Sequence, residues 1–500
     1  MNKQDSLLQI RLVSSMTRVY PDTELKAKAW IRTTALSGEK VNIQLAYFWK
    51  GWPAFGKAEV ISDLSGIRLH TVDLEPGEHI WPNNQPDEGC RSMPGLFPDI
   101  LTPLDGKWRL VPNQWRALWI SIDTTGAKAG EYPITIQVKV NEEIMAEETF
   151  HLQILPQSLP EQKQIYTQWF HTDCIAHQYH VEVFSERWWE LTESYVRFAV
   201  EHGINMILTP LFTPPLDTLP GTERLTVQLV DVMVTENGYQ FGFSKLERWI
   251  SMCRRCGVKY FEGSHLFTQW GAEHAPKIMA LKDGRMQRIF GWETDAEGAE
   301  YTGFLTAFLP EVTAFLCRNE CSGNFYFHIS DEPSEWALER YGRLSKLVHS
   351  QIGAFPVMDA LSEYSFYEKG YLDRPVCATQ SIIPYLEHGT PHLWAYYCGG
   401  QVKGVSNRLF AMPGARIRCI GLQMYDAGIE GFLHWGYNFW LTQYATKVID
   451  PYRVSDAGGG FAAGDSFSVY PGENGPIAAV SLELFAEALQ DLRALELAET

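Results

Sequence analysis

The sequence predicts a multidomain protein with both α and β structure: an N-terminal antiparallel β-sandwich followed by a (β/α)8 barrel of the TIM type. Three observations predict this fold. The chain has 500 residues, of which 45% are hydrophobic and 13% aromatic, enough apolar material for a large buried core. Up to about residue 155, apolar residues recur at the spacing of β-strands. Beyond that point, helical periods alternate with short apolar runs.

Six stretches before residue 155 have the length and alternation of β-strands, and turns rich in Gly and Pro separate them. They are LLQIRLV, KAKAWIRTTAL, VNIQLAYFW, GIRLHTVDL, RALWISIDT and YPITIQVKV. Several short strands without a helical period are typical of a β-sandwich. The polar, proline-punctuated segment LPQSLPEQKQ (155–164) predicts the linker, so we place the two domains at 1–158 and 159–500.

After the linker, helix-like stretches lead directly into short apolar strands. The pairs are SERWWELTESYVRFAVEHGIN with NMILTPLF, SKLERWISMCRRCGV with KYFEGSHLF, FLTAFLPEVTAFLCRN with FYFHIS, and WALERYGRLSKLVHSQ with FPVMDAL. PVCATQS and HLWAYYC are further strands, and ARIRCIGLQMYDAGIEGFLHWGYNFW joins a helix to a last strand. Such alternation over about 340 residues implies parallel pairing and, most simply, a (β/α)8 barrel.

Unusual polar and aromatic side chains follow the predicted barrel strands. In barrels of this type, chemistry takes place at the C-terminal ends of the strands, here called the mouth. The residues at these positions are Trp169, His171, Asp173, His265, Asp331, Glu332, Asp359, Tyr396, His434, Trp435, Asn438 and Trp440. The fold prediction therefore brings these residues together around one mouth.

The adjacent carboxylates Asp331 and Glu332, which end the strand FYFHIS, have two interpretations. In the first, Ser330, Asp331 or Ser334 caps a helix that begins near Pro333. In the second, the pair is catalytic, with one carboxyl protonating a leaving group while the other holds a charge that develops nearby. A cap needs only one short polar side chain and does not explain the aromatic residues at the same mouth. Glycoside cleavage uses such a division of labour.

Composition excludes several other classes of protein. A formal net charge of −18, with no long basic run, argues against nucleic acid or an anionic membrane surface as partner. No stretch of about 18 apolar residues is present, so we predict no membrane insertion. The N-terminal segment MNKQDSLLQIRLVSS has no apolar core typical of a secretory leader, and the nine Cys are scattered. We therefore expect a cytoplasmic protein with reduced thiols. The oligomeric state does not follow from the sequence.

One short segment contains side chains that bind metals. HTDCIAHQYH contains His171, Cys174, His177 and His180, but their spacing fits no standard zinc pattern and favours a polar loop at the mouth. His328 lies inside a predicted buried strand and is interpreted as a core histidine. We therefore predict no metal and no cofactor.

Beyond these patterns, the chain resembles glycoside hydrolase family 123, the β-N-acetylgalactosaminidases, and the group of barrel domains related to it. The resemblance rests on five motifs in the barrel region and two in the first domain. They are FHISDEP, LWAYYC, NRLFAMPGARIR, GIEGFLHWGYNFW and GDSFSVYPGENGP, then FPDILTPL and WISIDTTGAKAGEYPITIQV. The resemblance spans nearly the whole chain.

The resemblance implies a retaining exo-glycosidase in which the 2-acetamido group of the substrate is the nucleophile and an oxazolinium ion is the intermediate. Glu332 is then the general acid and later the base, and Asp331 orients the acetamido group and stabilises its positive charge. The other implied substrate contacts are Tyr396, Trp394, Trp435, Trp440, Asn438, His434, His171 and Asp173. The implied partner is a glycan or glycoconjugate with a terminal β-linked N-acetylhexosamine, here N-acetylgalactosamine.

Two alternatives remain open at this stage. One is another β-hexosaminidase or glycosidase on the same fold, because the galacto and gluco epimers differ by one hydroxyl group. The other is a glycan-binding protein without catalytic activity, in which the acids only cap a helix. The acid pair argues against the second alternative, because a binding protein gains little from two desolvated carboxylates side by side.

Overall fold

The structure is a computed structural model that describes residues 6–81 and 89–499. It contains an N-terminal β-rich region and a C-terminal barrel of eight parallel strands. Residues 1–5, which open the N-terminal segment that we interpreted as lacking a leader, lie outside the described residues. The outer limits of the two predicted domains, residues 1 and 500, lie outside them as well.

The N-terminal region contains two five-stranded sheets. Its strands are β1 Leu8–Ser14, β2 Arg32–Ser37, β3 Lys40–Trp49, β4 Ala54–Ile61, β5 Ile67–Gly77, β6 Gly95–Pro103, β7 Lys107–Leu110, β8 Trp115–Asp123, β9 Gly130–Val140 and β10 Glu143–Ser158. The first sheet has the order β1-β3-β8-β5-β6 and the second has the order β2-β10-β9-β4-β7. Apolar side chains of both sheets, such as Leu45 and Ile120 from the first and Ile136 and Phe150 from the second, belong to one buried cluster.

Two details of this region differ from the sequence prediction. The pairing of β2 with β10 is parallel, whereas the prediction was antiparallel throughout. In addition, β10 continues to Ser158, so the first four residues of the predicted linker belong to a strand. Pro156 suggested a break in that stretch. The strand accommodates it because the register of β10 against β2 shifts between Ile154 and Ser158, and a bulge tolerates a residue without an N–H group.

Eight strands form the barrel, and all their pairings are parallel. They are β11 Ile165–Gln168, β12 Met206–Thr209, β15 Tyr260–Gly263, β18 Phe325–Tyr326, β19 Met358–Leu361, β20 Arg374–Ala378, β21 Trp394–Tyr396 and β22 Gly431–His434. Their order is β18-β15-β12-β11-β22-β21-β20-β19. A parallel bridge between Phe327 and Val357 connects the two end strands, so the barrel is nearly closed.

Helices and short excursions connect the barrel strands. The helices are α1 Thr172–Tyr179, α2 Glu186–Glu201, α3 Ser244–Cys256, α4 Ala299–Arg318, α5 Leu338–Ile352, α6 Tyr364–Glu368, α7 Ile383–Glu387, α8 Gly414–Arg418, α9 Ile420–Asp426 and α10 Val480–Ala498. The excursions contain β13 Asp231–Thr235, β14 Gly238–Gly242, β16 Ile278–Lys282, β17 Arg285–Phe290, β23 Val469–Gly472 and β24 Gly475–Ala478. The stretch predicted as one helix before β22 forms two short helices, α8 and α9.

The closing helix α10 packs between the two regions. Lys40 of β3 forms an ion pair of 2.7 Å with Glu483 of α10, and the Ser15 hydroxyl donates to Glu487 of α10 at 2.9 Å. None of the helices in the described ranges is long and apolar enough to cross a membrane. The cytoplasmic location stays a prediction of the sequence.

Candidate active site

The two adjacent carboxylates lie where the chain leaves β18 at the mouth of the barrel. Glu332 has a φ of +42°, in the left-handed region that residues with a side chain rarely adopt. Its N–H donates to the carbonyl of Ala360 at 3.0 Å, and the carbonyl of Asp331 accepts from the N–H of Trp270 at 2.7 Å. The segment is therefore held between its two neighbours in the barrel, in a conformation that costs about 1–3 kcal/mol.

Neither carboxylate caps a helix. The chain forms a 3-10 turn at Glu335–Ala337 before α5 begins at Leu338. The residues that precede these two segments are Ser334 and Ala337, and neither makes a side-chain capping bond in the described structure. The capping interpretation is therefore wrong.

The acid pair is half-buried and holds protons more tightly than ordinary carboxyl groups. Burial raises the pKa of Glu332, while a 2.5 Å hydrogen bond from the Tyr396 hydroxyl to Glu332 Oε1 opposes this rise. Burial, reinforced by the charge of Glu332, raises the pKa of Asp331 well above its ordinary value. Because both pKa values are raised, the pair holds a proton more tightly than exposed carboxyl groups do.

A cavity of about 310 Å³ surrounds the pair. Aromatic side chains form much of its wall: Trp169, Trp270, Tyr396, Trp435 and Phe461. Two further carboxylates line it, Asp217 and Asp465. An apolar enclosure with a few polar groups directed inward is typical of a small-molecule site.

The N-terminal region contributes one side of this cavity through His79. The N–H of His79 donates to Asp456 Oδ2 at 3.1 Å, and its carbonyl accepts from the N–H of Ala463 at 2.7 Å. Because Ala463 adjoins the cavity-lining residues Phe461 and Asp465, the first region also supports the loop that forms this wall.

A buried charged group lies beneath the acid pair. His328 Nδ1 is 2.9 Å from Asp359 Oδ1, His328 Nε2 is 2.9 Å from Glu262 Oε2, and all three side chains are fully buried. Burial alone would lower the pKa of His328, but the hydrogen bonds to Asp359 and Glu262 outweigh it and raise the pKa to about 9. At neutral pH, His328 is therefore an imidazolium that donates one hydrogen bond to each carboxylate.

This buried group determines the course of the strand that leads into the acid pair. Asp359 accepts hydrogen bonds of 3.1 Å from the N–H groups of Ile329 and Ser330, and one of 2.5 Å from the Tyr341 hydroxyl. The chain is thus fixed at the two residues before Asp331. On the other side of His328, Glu262 accepts a 3.2 Å hydrogen bond from the indole N–H of Trp169 in the cavity wall.

The structure brings Tyr396 and Trp435 to the cavity with the acid pair, as the sequence analysis placed them. It places Trp394 elsewhere. Trp394 is 1% exposed and packs in the barrel interior against Gly431 of β22. The reason is the two-residue period of a strand: Trp394 and Tyr396 face the same way, but Trp394 lies one layer further from the mouth.

Five other residues predicted as substrate contacts do not line the cavity and have protein partners instead. Asn438 is bonded to both backbone groups of His171, at 2.8 and 3.0 Å. Asp173 forms a bidentate ion pair with Arg224, at 2.7 and 2.8 Å. Trp440 donates to the carbonyl of Val469 at 3.1 Å. These residues therefore hold the loops behind the site.

The two histidines of this group are neutral. Burial lowers the pKa of His171 to about 3, and Arg224 adds to the effect. Burial likewise lowers the pKa of His434 to about 4. His434 Nε2 lies 3.4 Å from Asp465, so this histidine stands directly behind a cavity carboxylate.

Sequence reasoning missed Asp217, Gln269, Asp465 and His79. Asp465 belongs to the motif GDSFSVYPGENGP, which carried part of the family resemblance but received no role. Asp217 follows the predicted strand NMILTPLF by a few residues, and burial raises its pKa to about 6. That position after a barrel strand is the signal that could have identified Asp217.

The suspected metal-binding side chains of HTDCIAHQYH do not converge. His171 is engaged by Arg224 and by the carbonyl of Trp435, and Cys174 is buried as a free thiol. In the described part of the chain, the one group of three with metal-binding atoms within 4.8 Å is His265, His328 and Asp359. Both ring nitrogens of His328 already donate to carboxylates, so this group does not fit a metal ion.

Two adjacent carboxylates in an aromatic cavity at the mouth of a parallel barrel are the arrangement of a glycoside hydrolase. The family model of the glycoside hydrolase 123 catalytic domain matches residues 169–498. The chain belongs to glycoside hydrolase family 123.

One solved structure supports the fold. A family 123 glycoside hydrolase from Clostridium perfringens, studied for glycolipid glycan hydrolysis, has a TM-score of 0.77 at 17% identity and covers 98% of this chain and 89% of its own. A GH5 xyloglucanase from Bacteroides ovatus has a TM-score of 0.31 at 10% identity, with coverage of 92% and 98%. A GH10 xylanase from termite gut has a TM-score of 0.34 at 10% identity and covers 75% of this chain and 90% of its own. Similarity as weak as that of the last two structures supports no argument. No curated protein matches the chain in sequence.

Proposed function

We propose that this glycoside hydrolase is a retaining exo-β-N-acetylgalactosaminidase that removes terminal β-linked N-acetylgalactosamine from glycans with the help of the substrate's own acetamido group. The observation that carries the proposal is the position of Asp331 and Glu332 on successive residues of one strand end, inside one cavity. The substrate is a glycan or glycoconjugate, a class to which the glycolipid glycans of the Clostridium perfringens enzyme belong.

In this mechanism Glu332 donates its proton to the glycosidic oxygen as the bond to the anomeric carbon breaks. The acetamido oxygen attacks the anomeric carbon from the opposite face and forms an oxazolinium ion. Asp331, ionised, holds the acetamido N–H and stabilises the positive charge. Water then opens the ring, and Glu332 takes a proton from that water. Two displacements at the same carbon retain its configuration.

The electrostatics of the site support these roles. Burial raises the pKa of Glu332, as suits a general acid, and the Tyr396 hydroxyl stabilises the carboxylate that forms when the proton leaves. Burial and the charge of Glu332 raise the pKa of Asp331, and the buried His328 imidazolium opposes that rise. Tyr396 and His328 thus each stabilise the ionised form of one member of the pair.

A retaining enzyme with its own nucleophile places two carboxylates on opposite faces of the sugar, about 5–5.5 Å apart. Asp465 and Asp217 are the other carboxylates of the cavity, and each has one oxygen that accepts a hydrogen bond from the surrounding loops. Asp465 accepts from the indole N–H of Trp435 at 3.1 Å, and Asp217 accepts from the N–H of Tyr444 at 2.9 Å. We favour the acetamido group as the nucleophile because the acid pair occupies successive residues of one strand end, and we assign Trp435 to the wall that stacks on the sugar.

The test compares aryl β-glycosides that differ only at the 2- or 4-position. The purified protein should cleave the β-N-acetylgalactosaminide much faster than the β-galactoside, because the galactoside has no acetamido nucleophile. Equal rates would overturn the assisted mechanism and favour Asp217 or Asp465 as nucleophile. The β-N-acetylglucosaminide, which differs at the 4-hydroxyl, decides between the galacto preference and a broader hexosaminidase.

We propose an N-terminal β-sandwich at 1–158 and a complete (β/α)8 catalytic barrel at 159–500. The shared buried cluster of the two N-terminal sheets and the helices between the barrel strands support it.

A further inference from the structure

Two exposed tryptophans lie near the border of the cavity. Trp270 lines the cavity and is 39% exposed, and the ring of Trp336, 64% exposed, lies against Gly271, the residue that follows Trp270. Gly271 lies between them. We call these three residues the outer platform. A large aromatic ring exposed to this extent next to a cavity contrasts with the cavity's own aromatic residues Trp169 and Tyr396, which are almost fully buried.

Neighbouring residues hold the outer platform in a defined position. The ring of Trp336 lies so close to Gly271 that a Cβ atom on residue 271 would be 2.4 Å from Trp336 Cη2, so a larger residue there would displace the ring. The guanidinium of Arg340 lies 5.9 Å from the centre of the Trp336 ring, and Arg340 Nη1 donates to the carbonyl of Gly271 at 3.4 Å. The exposed ring is thus fixed against the backbone that carries Trp270.

Trp270 is itself held in an unusual conformation. Its φ is +69°, a left-handed value that a bulky residue adopts only when its surroundings impose it. Its N–H donates to the carbonyl of Asp331 at 2.7 Å, so the outer platform is bonded directly to the residue next to the proposed acid. Strain at the border of a cavity is a sign that the side chain is placed for binding.

We propose that Trp336 and the exposed part of Trp270 form a subsite for the sugar on the leaving-group side of the cleaved bond. This inference rests on the proposed function. Glu332 must face the glycosidic oxygen, and the leaving sugar begins at that oxygen. The outer platform begins at Trp270, whose backbone is bonded to Asp331, and continues to Trp336, four residues after Glu332. The apolar C–H face of a pyranose ring stacks on an indole, so the ligand is an oligosaccharide of at least two units.

The experiment uses the full-length protein and two substrates with the same terminal sugar. One is a β-GalNAc-terminated oligosaccharide, and the other is β-GalNAc azide, whose leaving group has no ring to stack. For Trp336→Ala we expect kcat/KM on the oligosaccharide to fall about tenfold, mainly through KM, because truncating a tryptophan at a contact typically has an effect of this size. The loss on the azide should be at least fivefold smaller. Trp336→Phe, which keeps an aromatic face, should restore most of the oligosaccharide activity.

Trp52→Ala is the matched control, because Trp52 is 90% exposed on the N-terminal region and does not line the cavity around the acid pair. It should leave both substrates unaffected. Equal losses on the two substrates, or none, in Trp336→Ala would overturn the subsite. A concentration-dependent change in sedimentation of the variant would also overturn it, since the ring would then cover a second copy of the chain.

Failure of the proposed function gives a different result. If the wild-type protein cleaves neither substrate, the assigned reaction is wrong, and calorimetric titration with the uncleaved oligosaccharide and with free N-acetylgalactosamine still tests the outer platform. Tighter binding of the oligosaccharide than of the single sugar, lost in Trp336→Ala, supports it. Equal binding of both ligands overturns it.

Discussion

At the scale of single residues, three residues with side chains that line the cavity have left-handed backbone conformations. Asp217 has a φ of +41°, Trp270 of +69° and Glu332 of +42°. Each such residue costs about 1–3 kcal/mol, so the surrounding structure must impose all three. Left-handed φ redirects a side chain relative to the strand before it. This explains how loops after separate barrel strands direct their side chains into one cavity.

Glu332→Gln tests the general acid. Turnover of an unactivated disaccharide should fall by about 10²–10⁴-fold, because its leaving oxygen needs a proton in the transition state. An aryl leaving group needs less protonation, so its loss should be smaller. The loss of rate at high pH, which in the wild type follows ionisation of Glu332, should also disappear for the aryl substrate. Steady-state rates on both substrates between about pH 4 and pH 9 measure this.

Glu335→Gln is the control for that variant, since Glu335 is an exposed carboxylate three residues further along the chain. It should leave both pH profiles unchanged. A Glu332→Gln protein that still cleaves the disaccharide at the wild-type rate would show that another group is the acid.

Asp331→Asn separates charge from shape. Asparagine keeps the size and hydrogen-bonding capacity but not the charge, so the rate should fall by about 10²-fold or more, as when one preorganised electrostatic group is removed. A thiazoline inhibitor, which imitates the cyclised intermediate, should bind the wild type far more tightly than the variant. Kinetics and inhibition constants on the same preparations measure both effects.

The same variant should be at least as stable as the wild type. The pKa of Asp331 is raised in the folded protein, so ionising this group at neutral pH opposes folding, and asparagine removes that opposition. The melting temperature at pH 7 should therefore stay the same or rise. Asp283→Asn, on the exposed turn between β16 and β17, is the control for the substitution itself. Full activity with unchanged thiazoline affinity in Asp331→Asn would remove this residue from the mechanism.

At the scale of elements, the buried bonds between β15, β18 and β19 explain why the acid strand is so short yet well placed. β18 contains only Phe325 and Tyr326 as regular strand. The next residues are held by side chains instead: His328 by Glu262 and Asp359, and the two following N–H groups by Asp359. Side-chain acceptors thus replace the missing ladder bonds between neighbouring strands.

The pH dependence of stability tests the His328 imidazolium. Its folded pKa of about 9 lies above the ordinary value of 6.5. The stabilisation, about 3 kcal/mol for a shift of this size, is therefore fully present below about pH 6.5 and is lost as pH rises through about 9. We expect the melting temperature of the wild type to fall over this range, and the fall to be smaller in His328→Gln. Thermal unfolding at pH 6, 7.5 and 9 measures this.

His151→Gln is the control, because His151 is an exposed histidine of the N-terminal region. Its melting temperature should follow the wild type at every pH. If His328→Gln showed the same fall as the wild type, His328 would not be the group that titrates.

At the scale of the whole molecule, the two regions act as one unit around the site. His79 and the residues before it hold the loop that carries Asp465: the Ser455 hydroxyl donates to the carbonyl of Pro76 at 2.6 Å, and Ala463 donates to His79. On the opposite side, Glu483 of α10 binds Lys40 at 2.7 Å and His202 at 3.1 Å. The N-terminal region therefore shapes the cavity wall and is bonded to the closing helix of the barrel.

Glu483→Gln tests this coupling. Burial raises the pKa of Glu483, but Lys40 and His202 outweigh that effect and lower it far below the ordinary value. The stabilisation of the folded protein by ionised Glu483 is therefore present above about pH 4.5 and is lost only in strong acid. At pH 7 the variant should lose about 1–3 kcal/mol, since it removes a buried charge that accepts two hydrogen bonds and leaves the partly exposed Lys40 without its counter-charge. Calorimetry should show a lower melting temperature and a separate transition for the N-terminal region.

Glu190→Gln, in the exposed pair with Arg187, is the control and should change the melting temperature very little. A single unshifted transition in Glu483→Gln would show that the two regions are held together by other contacts.

The sequence by itself determined the order of the elements, the change from strands to alternating helices and strands, and the position of the acid pair at a strand end. Local patterns determine these features: a period of two or of 3.6 residues, and a hydrophobic run that stops at two carboxylates. The family resemblance likewise came from short local motifs, and the match over residues 169–498 confirmed it. The parallel pairing of β2 with β10 lacked any such signal, because the two strands are far apart in the chain.

Only the tertiary structure decided which side chains share the cavity. Tyr396 reaches it and Trp394 does not, because two residues along a strand are one layer in a barrel. Asp465 and His79 reach it from positions that no periodicity connects with Asp331. Such neighbours are set by how strands close into a barrel and how one region packs on another. Those contacts join residues that are distant in the chain, and local patterns contain no information about them.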